Sequence, residues 1–321
     1  MRILATANAP ESVDILEIAG ADHVLQLGEI LGSAMAARAL GIGGKSHVIG
    51  DFAGLRIAEA GVVGTAMEGR TLKELALRSR LGVGIIGVWD RGEFSIADPD
   101  TELVEPMILL LAATDDQLAT FDDEYAVPAA EQQHAVIIGG GRVGRAIGAT
   151  LDAEGHSFTI VEKLAERERA GVPYVIGDAA DRAVLERAGL DRASAVLVTT
   201  HDDDVNVYLT RYCRGLRPEI RIVSRARLDR NVTTLYRAGA DSVLSYAGTG
   251  SAAIWNAFRG DETLLIAQGL HVFRVPMPRS LGGRSLADTH VHRDRLQRRR
   301  HRPRRPDRRQ PRPERRPAAH R

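Results

Sequence analysis

After His134 an apolar run, Ala135-Val-Ile-Ile138, breaks into glycines spaced Gly139-x-Gly141-x-x-Gly144. Glycines at that spacing suit three tasks: a tight turn, close approach of the backbone to a pyrophosphate, and tight packing of the following helix on the strand. The chemistry implied is capture of a nucleotide's phosphates by backbone N–H groups at a helix N-terminus. A second run, Phe158-Thr-Ile-Val161, reads as the next strand and ends at Glu162, a carboxylate placed to hydrogen-bond a ribose. The plain alternative is a glycine-rich turn that binds nothing, and the carboxylate that follows argues against it.

These residues need a scaffold, and 321 residues are enough for two or three domains with cores of their own. The hydrophobic share of 44% is that of a globular protein. Apolar runs such as Met107–Ala113 fall well short of the roughly 20 residues that cross a bilayer, so neither a pore nor a signal peptide is expected. A single cysteine, Cys213, excludes an intramolecular disulfide and fits a reducing cytoplasm; its place in the helical pattern Tyr208–Cys213 reads as a packed thiol.

The net charge of +1 averages two unlike segments. Residues 289–321 hold 14 arginines against Asp294, Asp307 and Glu314, which leaves the body with 29 basic and 39 acidic side chains, about −10. An acidic body argues against nucleic acid as the main partner. The tail lacks hydrophobic periodicity and is expected to be disordered. It reads either as an arginine-rich arm for anionic partners or, preferably, as GC-rich coding sequence in a shifted frame beginning near Asp294. A one-nucleotide shift permits Gly-Cys-Asn-Val-Val-Ala-Ile over Arg295 to His301, a buried-strand pattern.

An internal repeat sets the layout. Arg2–Leu25 aligns without gaps on Arg221–Leu244, each reading as strand, helix and a Gly-Ala-Asp turn into a second strand. Gly69-Arg-Thr-Leu72 recurs as Gly283-Arg-Ser-Leu286, and the shifted-frame strand falls within one residue of the recurrence of Gly82–Val88. The fold class expected is α/β, with Rossmann-like doubly wound parallel sheets alternating with small α/β modules. Residues 1–50 are the closing part of a first Rossmann-like domain, truncated of its glycine loop. Residues 54–124 form a small module, with strands near Ala60–Gly64, Val83–Trp89 and Met107–Ala113, a helix from Thr71, and turns at Asp90–Gly92 and Asp98–Asp100. Residues 128–133 read as a linker, 134–259 as a near-complete second Rossmann-like domain, 263–288 as the start of a second small module, and 289–321 as the tail.

This alternation, with Gly139-Gly-Gly-Arg-Val-Gly144, Gly177-Asp-Ala179, Val198–Asn206 and Ala238-Gly-Ala-Asp241, resembles the regulators of potassium conductance, the RCK or KTN (TrkA-N/TrkA-C) domains. The likeness covers residues 1 to about 288 and extends to Trk-type potassium-uptake regulatory subunits and to the cytoplasmic parts of RCK-gated potassium channels. It implies a non-enzymatic regulator, peripheral at the cytoplasmic face of the plasma membrane. Such a regulator binds NAD(H) or ATP/ADP, forms a homodimer or homotetramer, and pairs with a membrane potassium transporter or channel pore. Carried over by position, Gly139, Gly141 and Gly144 face the phosphates, with Arg142 adding a charge and Val143 beside it. Glu162 holds the adenosine ribose and disfavours the 2′-phosphate of NADP, with Lys163 next to it. Gly177, Asp178 and Ala179 line the adenine side, and Thr199 and Thr200 lie at a strand's C-terminal end. Asp203, Asn206 and Arg225 are candidates for the far side of the ligand; a helix cap, a helix-face amide and a solvated arginine are their plain alternatives. Thr6 stands where the repeat has Arg225, so the first unit is expected to bind no nucleotide. No metal site is expected.

Two other functions compete. A NAD-dependent oxidoreductase needs a proton-transfer residue opposite the nicotinamide, and His201 alone lies at a strand's C-terminal edge. A nucleic-acid-binding protein acting through the tail would bind with steep salt dependence.

Overall fold

A computed structural model describes residues 3–7, 9–40, 44–126, 133–259, 263–266, 270–273 and 282–283. The chain opens with two short parallel strands, β1 (Leu4–Thr6) and β2 (His23–Leu25), joined through helix α1 (Val13–Ile18). Helix α2 (Leu27–Leu40) follows at once.

The next segment is an antiparallel sheet in the order β3-β4-β7-β5-β6, from β3 (His47–Phe52), β4 (Leu55–Gly61), β5 (Gly84–Asp90), β6 (Glu93–Ile96) and β7 (Ile108–Ala113). Two tight hairpins make it possible. Ala53 and Gly54 (φ 53° and 81°), like Arg91 and Gly92 (φ 45° and 82°), are consecutive left-handed pairs, as a two-residue loop matched to strand twist requires. The Asp90–Gly92 and Asp98–Asp100 segments are turns, as the sequence suggests. The strand β3 is not anticipated, and through it residues 47–50 stand with the small sheet. Short helices α3 (Leu72–Leu75) and α4 (Leu77–Leu81), with α5 (Asp115–Tyr125), close one face over Leu75, Leu109, Leu111 and Phe121. Capping boxes at Thr71/Glu74 and Thr114/Gln117 start α3 and α5.

Residues 134–245 form a Rossmann-like six-stranded parallel sheet in the order β10-β9-β8-β11-β12-β13. Its strands are β8 (His134–Ile138), β9 (Ser157–Glu162), β10 (Tyr174–Ile176), β11 (Ala195–Val198), β12 (Arg221–Ala226) and β13 (Ser242–Ser245). Helices α6 (Arg142–Ala153), α7 (Arg182–Arg187), α8 (Asp203–Leu216) and α9 (Val232–Ala238) alternate with them. The order doubles back between β8 and β11, which makes their C-terminal edge the topological switch point. Both faces are covered, which is why β8 and β11 read as unbroken apolar runs. Val136, Ile138, Val196 and Val198 pack under α7 and α8 beside Leu185, Leu209 and Cys213.

The other face is closed jointly by α6 and by α2, which belongs to the opening segment. Leu31, Met35, Ala36 and Ala39 of α2 are buried with Ile137, Ile147, Leu197 and Val223. The two helices approach so closely that a Cβ on Gly32 would meet the Ala146 Cβ at 2.5 Å. Arg38 of α2 also forms a two-pronged ion pair with Glu59 of β4, both bonds 2.9 Å and both side chains largely buried. Helix α10 (Tyr246–Arg259) begins directly after β13, and an antiparallel pair, β14 (Thr263–Ile266) and β15 (Leu270–Phe273), follows. The expected linker at 128–133 falls almost wholly outside the described residues, as do most of 274–288 and all of the tail, 289–321.

Candidate nucleotide-binding site

The glycine loop joins β8 to α6, and its three glycines differ in what surrounds them. Gly139 has φ 109°, the left-handed turn that lets the chain leave the strand. Gly144 lies so close to the loop that a Cβ there would stand 1.9 Å from the Gly139 carbonyl oxygen. Gly141, the residue before α6, has nothing within 4 Å of a Cβ position, and no side chain caps the helix it begins. That leaves an open approach to first-turn N–H groups, which carry partial positive charge.

Around this loop lies a cavity of about 1000 Å³ at the switch point. It is lined by Gly139, Gly141, Arg142, Val143, Glu162, Lys163, Gly177, Asp178, Ala179, Thr199, Thr200 and Arg225. Three of the residues singled out from the sequence stand behind its wall. Gly144 serves helix packing. Asp203 accepts hydrogen bonds from the N–H groups of Arg227 and Leu228 and from the Asn231 amide, so it shapes the loop after β12. Asn206 is fully buried, and its Nδ2 donates to the Thr200 and Arg225 carbonyls while its Oδ1 accepts from Thr200. It fastens the two strand ends that the cavity exposes.

Glu162 is 5% exposed; its Oε2 accepts from the Gly140 amide at 2.8 Å and its Oε1 from the Leu164 amide at 3.0 Å. Oε2 also accepts from Arg167 Nη1 at 3.5 Å, so Oε1 is the oxygen that keeps a second lone pair for a ribose hydroxyl. Lys163 and Asp178 form an exposed ion pair, 2.8 Å long. That pair first, then the Ala180 amide, holds the Asp178 carboxyl below its usual range.

Arg225 ends the row at the other side. It is 7% exposed, its Nε is buried without a hydrogen-bond partner among the described residues, and its guanidinium lies 4.9 Å from the Tyr246 ring centroid. Burial lowers its pKa from the ordinary arginine value, while Tyr246 and Asp203 oppose that shift and the nearby Arg142 and Arg227 add to it. A guanidinium still keeps its charge, so this one sits in an environment that an anion would relieve.

The fold also brings in residues that motif spacing does not single out. Arg145 Nη1 donates to the Gly140 carbonyl at 2.7 Å and braces the loop. Arg167 lies 3.5 Å from Glu162, and Arg169, Arg227, Tyr208 and Tyr246 also line the cavity. Arg145 carries a faint signal, one turn beyond Arg142 on the same helix face; the others come from loops or distant elements. His201 lines the cavity but is exposed and makes no hydrogen bond or ion pair among the described residues, so nothing orients it as an acid or base. Among the described residues no group of three His, Cys, Asp or Glu side chains is arranged for a metal ion, and no helix is long and apolar enough to cross a membrane.

Comparison with known proteins places two domain families on the chain, the TrkA-C domain over residues 58–125 and the TrkA-N domain over 135–246. Among curated relatives, the probable potassium channel protein 2 of Methanocaldococcus jannaschii is 32% identical over 121 residues, 36% of this chain and 35% of its own. The Trk system potassium uptake protein TrkA homolog of Pyrococcus horikoshii is 35% identical over 97 residues, 29% of this chain and 42% of its own. The chain thus spans less than half the length of these relatives. Among solved structures, the GsuK RCK domain matches with a TM-score of 0.69 at 37% identity, covering 91% of this chain and 64% of that one. The GsuK channel bound to NAD matches at 0.70 and 38%, covering 91% and 53%. GsuK bound to ADP matches at 0.51 and 26%, covering 82% and 46%.

Proposed function

Since the chain carries a TrkA-C and a TrkA-N domain, we propose that it is a regulatory component of a potassium transporter or channel. In this reading it binds an adenine nucleotide, NAD(H) or ADP/ATP, at the Gly139–Gly144 loop and transmits occupancy to a membrane pore. It acts at the cytoplasmic face as a homo-oligomer and catalyses no reaction.

The observation that carries this reading is the cavity at the switch point, where an uncapped helix N-terminus, a ribose-type carboxylate and a buried arginine with a donor to spare share one wall. Gly141 and Arg142 would receive the phosphates, Glu162 the adenosine ribose, and Gly177, Asp178 and Ala179 the adenine, with Val143, Lys163, Thr199 and Thr200 completing the enclosure. Gly139 and Gly144 shape the loop, and Asn206 and Asp203 hold the strand ends behind it. The residues suit such a ligand because the donors point to an anion and the buried acid among the lining residues, Glu162, is at the ribose end. Regulation follows if nucleotide binds one arrangement of the domains more tightly; a differential of about 1–3 kcal/mol gives a 5- to 150-fold effect. Names of the relatives support the potassium assignment, GsuK bound to NAD and to ADP supports the ligand class.

The test is calorimetry of the full chain with NAD+, NADH, ADP, ATP and NADP+, beside light scattering with and without ligand and rubidium flux in cells lacking the gene. Binding of NAD(H) or an adenosine phosphate, weak binding of NADP+ and an altered flux are expected. A folded chain that binds none of these nucleotides, or an unaltered flux, overturns the reading.

A further inference from the structure

A second cavity lies at the edge of the parallel sheet opposite the glycine loop. Arg221 opens β12 and Asp241 stands just before β13, so both mark the N-terminal edge. Arg38 of α2, Lys45 and His47 around the start of β3, and Glu59 of β4 line the same space, which measures about 40 Å³. A single water needs roughly 10–15 Å³ on that measure, so the space takes a small ion and excludes a nucleotide.

Both carboxylates in the lining already have a cation. Each oxygen of Glu59 accepts from Arg38 Nη2 at 2.9 Å, and Arg38 Nη1 donates to Ser242 Oγ at 3.1 Å. Asp241 Oδ2 accepts from Arg214 Nη2 and from the Ile222 amide, each at 2.7 Å. Arg221 is left over. Its one hydrogen bond among the described residues runs from Nη1 to the Arg38 carbonyl at 3.4 Å, and no carboxylate there lies within ion-pair distance. Burial lowers its pKa from the ordinary arginine value, with Asp241 and then Glu105 opposing the shift, but a guanidinium keeps its charge. At the mouth, Lys45 is 70% exposed and reaches only Glu154, at 3.9 Å. The cavity therefore has a half-buried cation at its base, a second cation at its mouth and no acid free to pair with either.

We propose that this cavity binds a small inorganic oxyanion of the phosphate class, with the Arg221 guanidinium as its inner contact and the Lys45 ammonium as its outer one. A tetrahedral oxyanion suits the donors because its several oxygens can accept from a planar guanidinium and an ammonium at once, in charge-assisted hydrogen bonds. The ion joins two parts of the fold, since Arg221 belongs to the parallel sheet and Lys45 leads into the small antiparallel sheet. Its site is separate from the glycine loop and does not depend on the nucleotide reading above.

The test is calorimetry of the full chain with sodium phosphate, sodium sulfate and sodium chloride at matched ionic strength, with circular dichroism to establish folding. Because phosphate and sulfate stabilise most proteins without a site, saturable binding heat is the readout, not the thermal midpoint. The parent is expected to bind phosphate, sulfate or both more tightly than chloride. Arg221→Gln is expected to weaken that binding by about tenfold, the scale of one charge-assisted hydrogen bond. Lys45→Gln, on an exposed side chain that folding does not need, is expected to weaken it by about threefold, the scale of an exposed charge pair. Arg142→Ala, at the glycine loop, is expected to change it by less than about twofold, which separates this cavity from the other place an oxyanion could settle. Absence of saturable binding, equal affinity for chloride, or loss in Arg142→Ala alone overturns the inference. If Arg221→Gln does not fold, Lys45→Gln decides, and an unchanged affinity in that variant overturns it.

Discussion

The Oε2 of Glu162 accepts a hydrogen bond from the amide of Gly140 at 2.8 Å, so the carboxylate that ends β9 also ties down the glycine loop that follows β8. Two parts of one candidate site therefore hold each other in shape before any ligand is present. Glu162→Ala would strand the Gly140 and Leu164 amides, each a cost of about 1–3 kcal/mol when buried. A lower midpoint in urea and a loss of NAD+ affinity of at least about tenfold are expected. Unchanged stability would mean that the loop does not depend on this carboxylate.

Two glycines three residues apart in the motif, Gly141 and Gly144, should fail in different ways. Gly141 has open space around a Cβ position and an extended backbone (φ −69°, ψ −173°), so Gly141→Ala should leave the thermal midpoint nearly unchanged and weaken nucleotide binding by crowding the phosphates. Gly144→Ala drives a methyl group into the Gly139 carbonyl and should lower stability by about 1–3 kcal/mol. Thermal unfolding run beside calorimetry separates the two; similar behaviour of both variants would contradict the division of roles.

Helix α2 should be a structural part of the Rossmann-like domain built on β8–β13. Leu31→Ala empties a fully buried position between α6 and the sheet, and a loss of about 2–5 kcal/mol is expected. Hydrogen exchange should locate the loosening in β8, β11 and β12. Loosening confined to residues 4–25 would place the helix with the opening segment instead.

Cys213 is buried among Leu209, Ile220 and Ile222, and burial pushes its thiol up to about 12 from an ordinary 9.0. It should resist Ellman's reagent at pH 8 in the folded chain and react at once in urea. Because the folded pKa is the higher one, the neutral thiol's contribution is complete below about pH 9 and is lost as pH rises from there towards 12. Rapid labelling of the native protein at pH 8 would contradict this packing.

Much of this arrangement is legible in the residue pattern because the requirements are local. A turn, a backbone approach and a helix packed against its strand each demand glycine at one position, so Gly139, Gly141 and Gly144 announce the loop. The unbroken apolar runs of β8 and β11 announce a sheet covered on both faces. What stays hidden depends on distance along the chain. The apolar face of α2 reveals that the helix is buried, not that its partner is α6. Asp203 and Asn206 have the polarity of ligand contacts, yet their partners are backbone groups of the adjoining loop and strand together with the Asn231 and Thr200 side chains. Arg167, Arg169 and Tyr246 reach the cavity through loops and a helix start that no periodicity describes. The strand β3 depends on the two-residue turn at Ala53-Gly54, where alanine hides a left-handed conformation.

The union of α2 with α6 also has a consequence for how the protein is made. Ser33 and Thr150 touch across that contact, their hydroxyl oxygens 3.2 Å apart, although 117 positions separate them in sequence. During synthesis the apolar stripe of α2 leaves the ribosome well before the strands it will cover, and it must wait uncovered until they arrive. Long-range contacts of this kind slow folding and leave sticky surface open to the wrong partners. The parallel sheet is therefore expected to mature late, when its final strands are free to receive a helix translated ahead of all of them.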